Sequence, residues 1–556
     1  MRLVGLQLPR PLLLLLPLLP TAAALLAPLL MPQLPAALGG SHAPHCPQFH
    51  TLSYNDPSGP LLMRDGTWHI FPINGNWGHC TSPDLLVWNC SLPGDCKPGC
   101  PLAGGCSCTG WNMSNTGGVS VTPAGYFAFQ ANNYNLSMAK ATDDTLSVWQ
   151  HNLTTCGSFP GDSQCFHGPA FGPGSACPAG PCRPANASTP FQPCRTAVCG
   201  VVGNPRAPFP GTESFSDTGR ALKLQSGLYL PVGARGPQNA GGGIHWFKAS
   251  DETMTSLTET GFLFTVNVAP NGTSIGPLME CPDVFQLGGK TVVLGSLPGV
   301  PVNTEGTSHW WVGTLSVDDL TFTAEATGRF DWGLAGFSSL YAAKSGTSAH
   351  EPFTRRVLFG FGGWREPEMA SCGGWYVLPR ELTLSPEGAL LQHPAVEMKK
   401  LRKGAAISGP DQLAAGGQIE VLVRCPLPAT PPSSGMLGVA TLGTASHNQS
   451  VQVGYDFGTK TGFATVAAGL GLSGNTSRTD RTPILEHALR GDAIELNVFV
   501  DGQRVETFFG GETTITTSTG NMVPTEQLSS SFVNTAKLPG CNVTSWALGL
   551  PGPPPP

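Results

Sequence analysis

Short apolar runs bounded by Gly and Pro recur through most of the chain. Thr67-Trp68-His69-Ile70-Phe71, Lys290-Thr291-Val292-Val293-Leu294, Trp310-Trp311-Val312-Gly313 and Arg356-Val357-Leu358-Phe359 each read as a strand ended by a turn. After the N-terminal segment, no stretch repeats its apolar positions with the 3.6-residue period of a helix. Beyond about residue 385 the pattern becomes alternation. Gln418–Val423, Ser450–Tyr455 and Ile494–Val500 place their apolar side chains on one face, as in a sheet with one buried side. The first pattern predicts an all-β sandwich, barrel or propeller. The second predicts two sheets packed face to face.

The N-terminus is different. Arg2 and Arg10 precede an apolar run from Leu12 to Leu30 that Pro17, Pro20 and Pro28 interrupt. A basic segment followed by an apolar one predicts a signal peptide or an uncleaved signal anchor over residues 1–40. The chain is therefore expected to be secreted or extracellular, with a vacuolar or membrane-anchored location as the alternative. Nine Asn-x-Ser/Thr sequons, from Asn89 to Asn542, fit passage through a secretory route. Of the 17 cysteines, twelve lie between Cys80 and Cys199 without paired C-x-x-C spacing, which points to disulfides rather than zinc. The odd count leaves at least one free thiol, and Cys281 is the candidate. A net charge of −6 offers no electrostatic case for nucleic acid or an anionic membrane. The Pro-rich end, residues 550–556, reads as an unpacked tail.

Two segments carry candidate chemistry. Tyr54-Asn55-Asp56-Pro57-Ser58-Gly59 is built from turn formers. Met279-Glu280-Cys281-Pro282-Asp283 sets a carboxylate among weakly polar neighbours. Two carboxylates, each near a backbone-fixing proline, are what glycoside cleavage needs: one attacks or activates water, and the other protonates the leaving oxygen. These segments resemble the N-D-P-N-G and E-C-P-D boxes of glycoside hydrolase family 32, the invertases and fructan hydrolases. Trp77-Gly78-His79 through Asp84-Leu85, Asp331-Trp332-Gly333, Tyr341-Ala342-Ala343-Lys344 and Val498–Phe508 also resemble segments of that family, in family order.

The resemblance implies a five-bladed β-propeller over residues 41–384, followed by a C-terminal β-sandwich over 385–549. The Cys- and Pro-rich blocks 93–110 and 157–193 would be loop insertions. It implies a cofactor-free, metal-free retaining enzyme that releases terminal β-D-fructofuranosyl units from sucrose or fructans. Asp56 would be the nucleophile and Glu280 the general acid/base, about 5–5.5 Å apart. The family's third carboxylate sits in an R-D-P motif that this chain lacks. Asp217, about a dozen residues before the strand-like Leu228–Gly233, is the expected substitute, and Arg220 is the candidate to replace the arginine. Asn55, Trp77 and Cys281 are further expected sugar contacts. The small sugar is the one partner implied. Ser53 stands where the family has tryptophan. The altered pocket residues keep two alternatives open: a fructosyltransferase using the same residues, or a propeller that binds fructosides or glycans without turnover.

Overall fold

The computed structural model describes residues 47–50, 55–74, 76–91, 116–132, 135–153, 155–159, 162–166, 215–236, 241–254, 256–266, 278–298, 306–333, 340–350, 355–362, 375–443, 450–467, 477–483, 492–519 and 527–551. The apolar N-terminal run, the Pro-rich end after Pro551, Ser53, and most of the two cysteine-rich blocks lie outside these residues. Among them, nearly all regular structure is sheet. Helix is limited to short 3₁₀ segments such as Val396–Leu401. No described helix is long and apolar enough to cross a membrane.

Five four-stranded antiparallel meanders follow one another along the chain. The first runs through Pro57–Leu62, Trp68–Asn74, His79–Ser82 and Asn89–Ser91. The second runs through Gly117–Thr122, Gly125–Asn132, Asn135–Ala141 and Trp149–Leu153. The third comprises Phe215–Thr218, Gly227–Arg235, Gly242–Ala249 and Ser256–Val266. The fourth comprises Glu280–Leu287, Lys290–Leu297, Thr307–Leu315 and Phe322–Arg329. The fifth comprises Tyr341–Ser348, Arg356–Gly362, Arg380–Leu384 and Leu390–Pro394. These are the blades of a propeller. A hairpin, Thr155–Phe159 with Asp162–Phe166, extends the third blade by parallel pairing with Ser256–Val266.

The first strand of each blade is its innermost, and side chains and backbone stitch each to the next. Gly117 N–H donates to Ser58 Oγ across the first joint, and Gly118 N–H to Thr218 Oγ1 across the second. Ser216 Oγ donates to the Met279 carbonyl across the third, at 2.6 Å. Ser345 N–H donates to Asp283 Oδ2 across the fourth, at 2.9 Å. The fifth joint returns to the first blade: Pro57–Leu62 pairs in parallel with Tyr341–Ser348, Leu61 opposite Thr347. The approach at the axis is close. A Cβ on Gly118 would stand 2.1 Å from the Gly219 carbonyl oxygen, so only glycine fits there.

A sandwich of a six-stranded and a five-stranded sheet follows. Gln418–Pro426 and Val451–Asp456 bury alternate apolar residues, so Ile419, Val421 and Val423 share one core with Val451, Val453 and Leu496. The hairpin Ala493–Asp501/Arg504–Phe509 is buried on its other face too, because Phe499 and Phe508 pack into the core that holds Trp68, Phe359 and Leu378. A charged chain crosses the same seam. His50 contacts Asp501 at 2.8 Å and Glu506 at 2.9 Å, and Arg380 contacts Glu506 and Asp331 at 2.9 Å each. All five side chains are fully buried, so Asp331 and Glu506 fasten sandwich to propeller.

Candidate active site

Each of the five innermost strands contributes one polar residue: Asp56 and Thr116 immediately precede their strands, Glu280 and Tyr341 begin theirs, and Asp217 is the third residue of Phe215–Thr218. Because neighbouring innermost strands run side by side, these residues gather at one end of the propeller axis. Four of the strands are irregular at or just beyond that residue. Register shifts occur between Ser58 and Leu61, Phe215 and Thr218, Glu280 and Asp283, and Tyr341 and Lys344. A bulge re-aims the side chains beside it, which is how strands that otherwise point into packed blades can turn carboxylates inward. Three of the shifts hold a residue in the left-handed region: Gly59 at φ 51°, Cys281 at φ 52° and Ala342 at φ 53°. Glycine takes that conformation freely, whereas Cys281 and Ala342 carry strain there.

The three expected carboxylates come together. Cys281 N–H donates to Asp217 Oδ2 at 2.8 Å. The Cys281 thiol lies 3.6 Å from Asp217 Oδ2 and 3.7 Å from Asp56 Oδ2, so it sits between the two. Thr116 Oγ1 donates to the same Asp56 oxygen at 2.5 Å. Tyr341 O–H donates to Glu280 Oε2. Neither Thr116 nor Tyr341 is flagged by the sequence as a site residue. Thr116 carries no motif, and Tyr341 is only the opening of a matched segment.

Crowding and burial make these groups hold protons. Burial raises Asp56 above the usual carboxylate range, against the opposing hydrogen bonds from Thr116 and Cys281. Burial and then the charge of Glu280 push Asp217 up to about 8. Glu280 is raised by burial and by Asp56, while the Tyr341 hydrogen bond pulls the other way. The Cys281 thiol is raised well above its ordinary value by burial and the surrounding acids, so it is a neutral free thiol. The site can therefore keep one carboxyl protonated beside one that is charged, which is the requirement for acid–base work.

Other expectations are redrawn. Trp77 is only 1 % exposed and stacks on Phe71 in the core under the first two blades, so it offers no open face to a sugar. Arg220 is buried and feels the charge of Asp283. Lys344 is a cation that acts on Asp217. His79 is buried, bonds His69 at 2.9 Å and stacks on Phe71. Asn55 is exposed beside Asp56, and its carbonyl accepts from Tyr376 O–H at 2.7 Å.

Solved structures share this fold along most of their length. Sucrose-6-phosphate hydrolase from Lactobacillus gasseri is 16% identical with a TM-score of 0.61, covering 89% of this chain and 91% of its own. A β-fructofuranosidase from Aspergillus kawachii gives 15%, 0.63, 94% and 99%. Fructan 1-exohydrolase IIa from Cichorium intybus, also solved with 1-kestose, gives 17%, 0.59, 89% and 95%. Comparison with curated protein sequences finds no match. Family comparison does: residues 206–394 match the glycosyl hydrolases family 32 N-terminal domain, and residues 390–534 match the family 32 C-terminal domain. Asp217 and Glu280 fall inside the first match, and Asp56 precedes it. Propeller, sandwich and the two matches, which together span more than half of the sequence, agree: the chain belongs to glycosyl hydrolases family 32.

Proposed function

We propose that this protein is a retaining glycosidase that releases terminal β-D-fructofuranosyl units from sucrose or short fructans. Asp56 attacks the anomeric C2 of the fructosyl unit while Glu280 gives its proton to the departing glycosidic oxygen. The bond to the leaving sugar breaks as the bond to Asp56 forms. Glu280, now charged, takes a proton from water, and the resulting hydroxide displaces Asp56 and frees fructose. Thr116 orients the attacking oxygen of Asp56. Asp217, fixed by the Cys281 N–H, faces the ring hydroxyls as charge develops. The observation that carries this reading is the convergence of Asp56 and Asp217 on Cys281, one residue from Glu280.

The reading extends to an oxidising, secretory setting. Two disulfides, Cys80–Cys90 and Cys425–Cys541, staple the first blade and the sandwich. Asn89 and Asn542, each heading a sequon, are exposed. The test is glucose and fructose release from sucrose at mildly acid pH, beside a Glu280→Gln control. Equimolar release that the control loses supports hydrolysis. Glucose in excess of fructose indicates transfer to a sugar hydroxyl. No release from sucrose, inulin or levan by the folded protein sends the reading to carbohydrate binding.

A further inference from the structure

Beyond the bulges, a second layer of charge lies along the same innermost strands. Lys344 is 3 % exposed, three residues after Tyr341. Its Nζ donates to the Thr218 carbonyl at 2.7 Å and to the Pro282 carbonyl at 2.8 Å. Those two carbonyls directly follow Asp217 and Cys281. One ammonium on the fifth blade thus ties down the strand segments of the third and fourth blades that carry Asp217 and Glu280. Asp283, three residues after Glu280, is 2 % exposed and accepts from Ser345 N–H and Ser345 Oγ. Arg356 Nη1 donates to the same Ser345 Oγ at 2.8 Å and stands 4.0 Å from Asp283 Oδ2.

The result is a stack of opposite charges. Asp56, Asp217 and Glu280 form the layer where the chemistry is placed; behind them Arg356 lies 4.0 Å from Asp283, and the charge of Asp283 also acts on Lys344 and Arg220. An ammonium this buried, bonded to two neutral carbonyls, is an expensive way to hold backbone unless its charge is used. The acids facing it are Asp283, Asp217 and Asp56, together with the Cys281 thiol.

We propose that Lys344 is a positioning residue for the carboxylate site: it fixes the backbones bearing Asp217 and Glu280 and supplies the positive potential that lets Asp56 carry charge away from water. The proposal rests on the reading of Asp56 and Glu280 as the reacting pair. Lys344 lowers the proton affinity of both Asp56 and Asp217, in line with this geometry. Its loss therefore raises the pH at which the nucleophile ionises.

The test is kcat/KM for sucrose against pH in Lys344→Met, Lys344→Arg and Asp283→Asn. An opposite charge this close moves a carboxylate by about one pH unit or more. Lys344→Met is expected to move the acid limb up by at least ~1 unit, with about a tenfold loss on that limb for each unit moved. Lys344→Arg should leave the limb within a few tenths of a unit. Asp283→Asn strips the basic layer of its counter-charge and should move the limb the other way, to lower pH. A pH-independent drop in Lys344→Met with an unmoved limb makes Lys344 a purely structural clamp and overturns the proposal. If Lys344→Met does not fold, an acid limb that stays put or rises in Asp283→Asn overturns it instead. If wild type releases no fructose, the functional reading fails and the proposal is judged by ¹³C titration of Asp-labelled protein. There the carboxyl resonance that disappears in Asp217→Asn must titrate at higher pH in Lys344→Met, or at lower pH in Asp283→Asn; an unmoved resonance refutes it.

Discussion

Tyr341→Phe is the sharpest probe of the acid–base carboxyl. The substitution deletes one oxygen, keeps the ring, and removes the hydrogen bond donated to Glu280 Oε2. That bond favours the charged form of Glu280, so it works against the burial and the Asp56 charge that keep the proton in place. A hydrogen bond to a charged group contributes about 1.5–3 kcal/mol. At about 1.4 kcal/mol per pH unit, its loss raises the Glu280 proton affinity by roughly 1–2 units. Glu280 acts as an acid, so the basic limb of the kcat/KM profile, where that proton is lost, moves to higher pH by the same amount. The acid limb, which reports the nucleophile, should move far less. The assay is initial-rate fructose release from sucrose across pH 3–9 in both proteins, with apparent values assigned to the carboxyl group set and not to single residues. A basic limb that stays fixed or moves down in Tyr341→Phe would refute this assignment of Glu280.

The other predictions concern the remaining acids and the seam. Asp217→Asn keeps the size of the side chain but cannot become charged, and is expected to lower kcat by about 10²-fold or more with a smaller effect on KM, measured with sucrose. Arg380→Met leaves Asp331 and Glu506 buried without their shared cation, which should cost about 3–5 kcal/mol in denaturant unfolding; a loss under ~1 kcal/mol would contradict the buried-chain account. His50 has its proton affinity raised by Asp501 and Glu506, although burial opposes them. Its contribution to stability is thus full below about pH 6.5 and fades as pH climbs through the higher folded value, a slope that His50→Gln should flatten in thermal melts. His69 and His79, lowered by burial to about 4 and about 3, act in the opposite sense: stability should fall as pH drops below about 6.5 toward those values.

Much of this was legible in the sequence because strands and turns obey local rules. Val357, Leu358 and Phe359 are buried as a continuous run, and Gln418–Pro426 alternates, as their patterns require. Asp217 could be placed near Cys281 without its motif because its distance to the next strand is fixed by the blade: Thr218 pairs with Val232. What the sequence hides is the outcome of converging strands. Thr116 has no local signature, and its contact with Asp56 comes from immediately preceding an innermost strand, as Asp56 itself does. Trp77 shows the reverse failure. An aromatic in a short strand fits a sugar face or a core equally well by pattern, and only packing on Phe71 decides.

The most direct test of the central claim is trapping of the fructosyl unit on Asp56. Glu280→Gln, which cannot pass on a proton, should be incubated with a fructoside whose leaving group needs none, such as fructosyl fluoride. Intact-mass and peptide analysis should then find one fructosyl adduct on the peptide that carries Asp56. Rapid release of fluoride with no adduct on that peptide, or an adduct on Asp217 instead, would contradict the account.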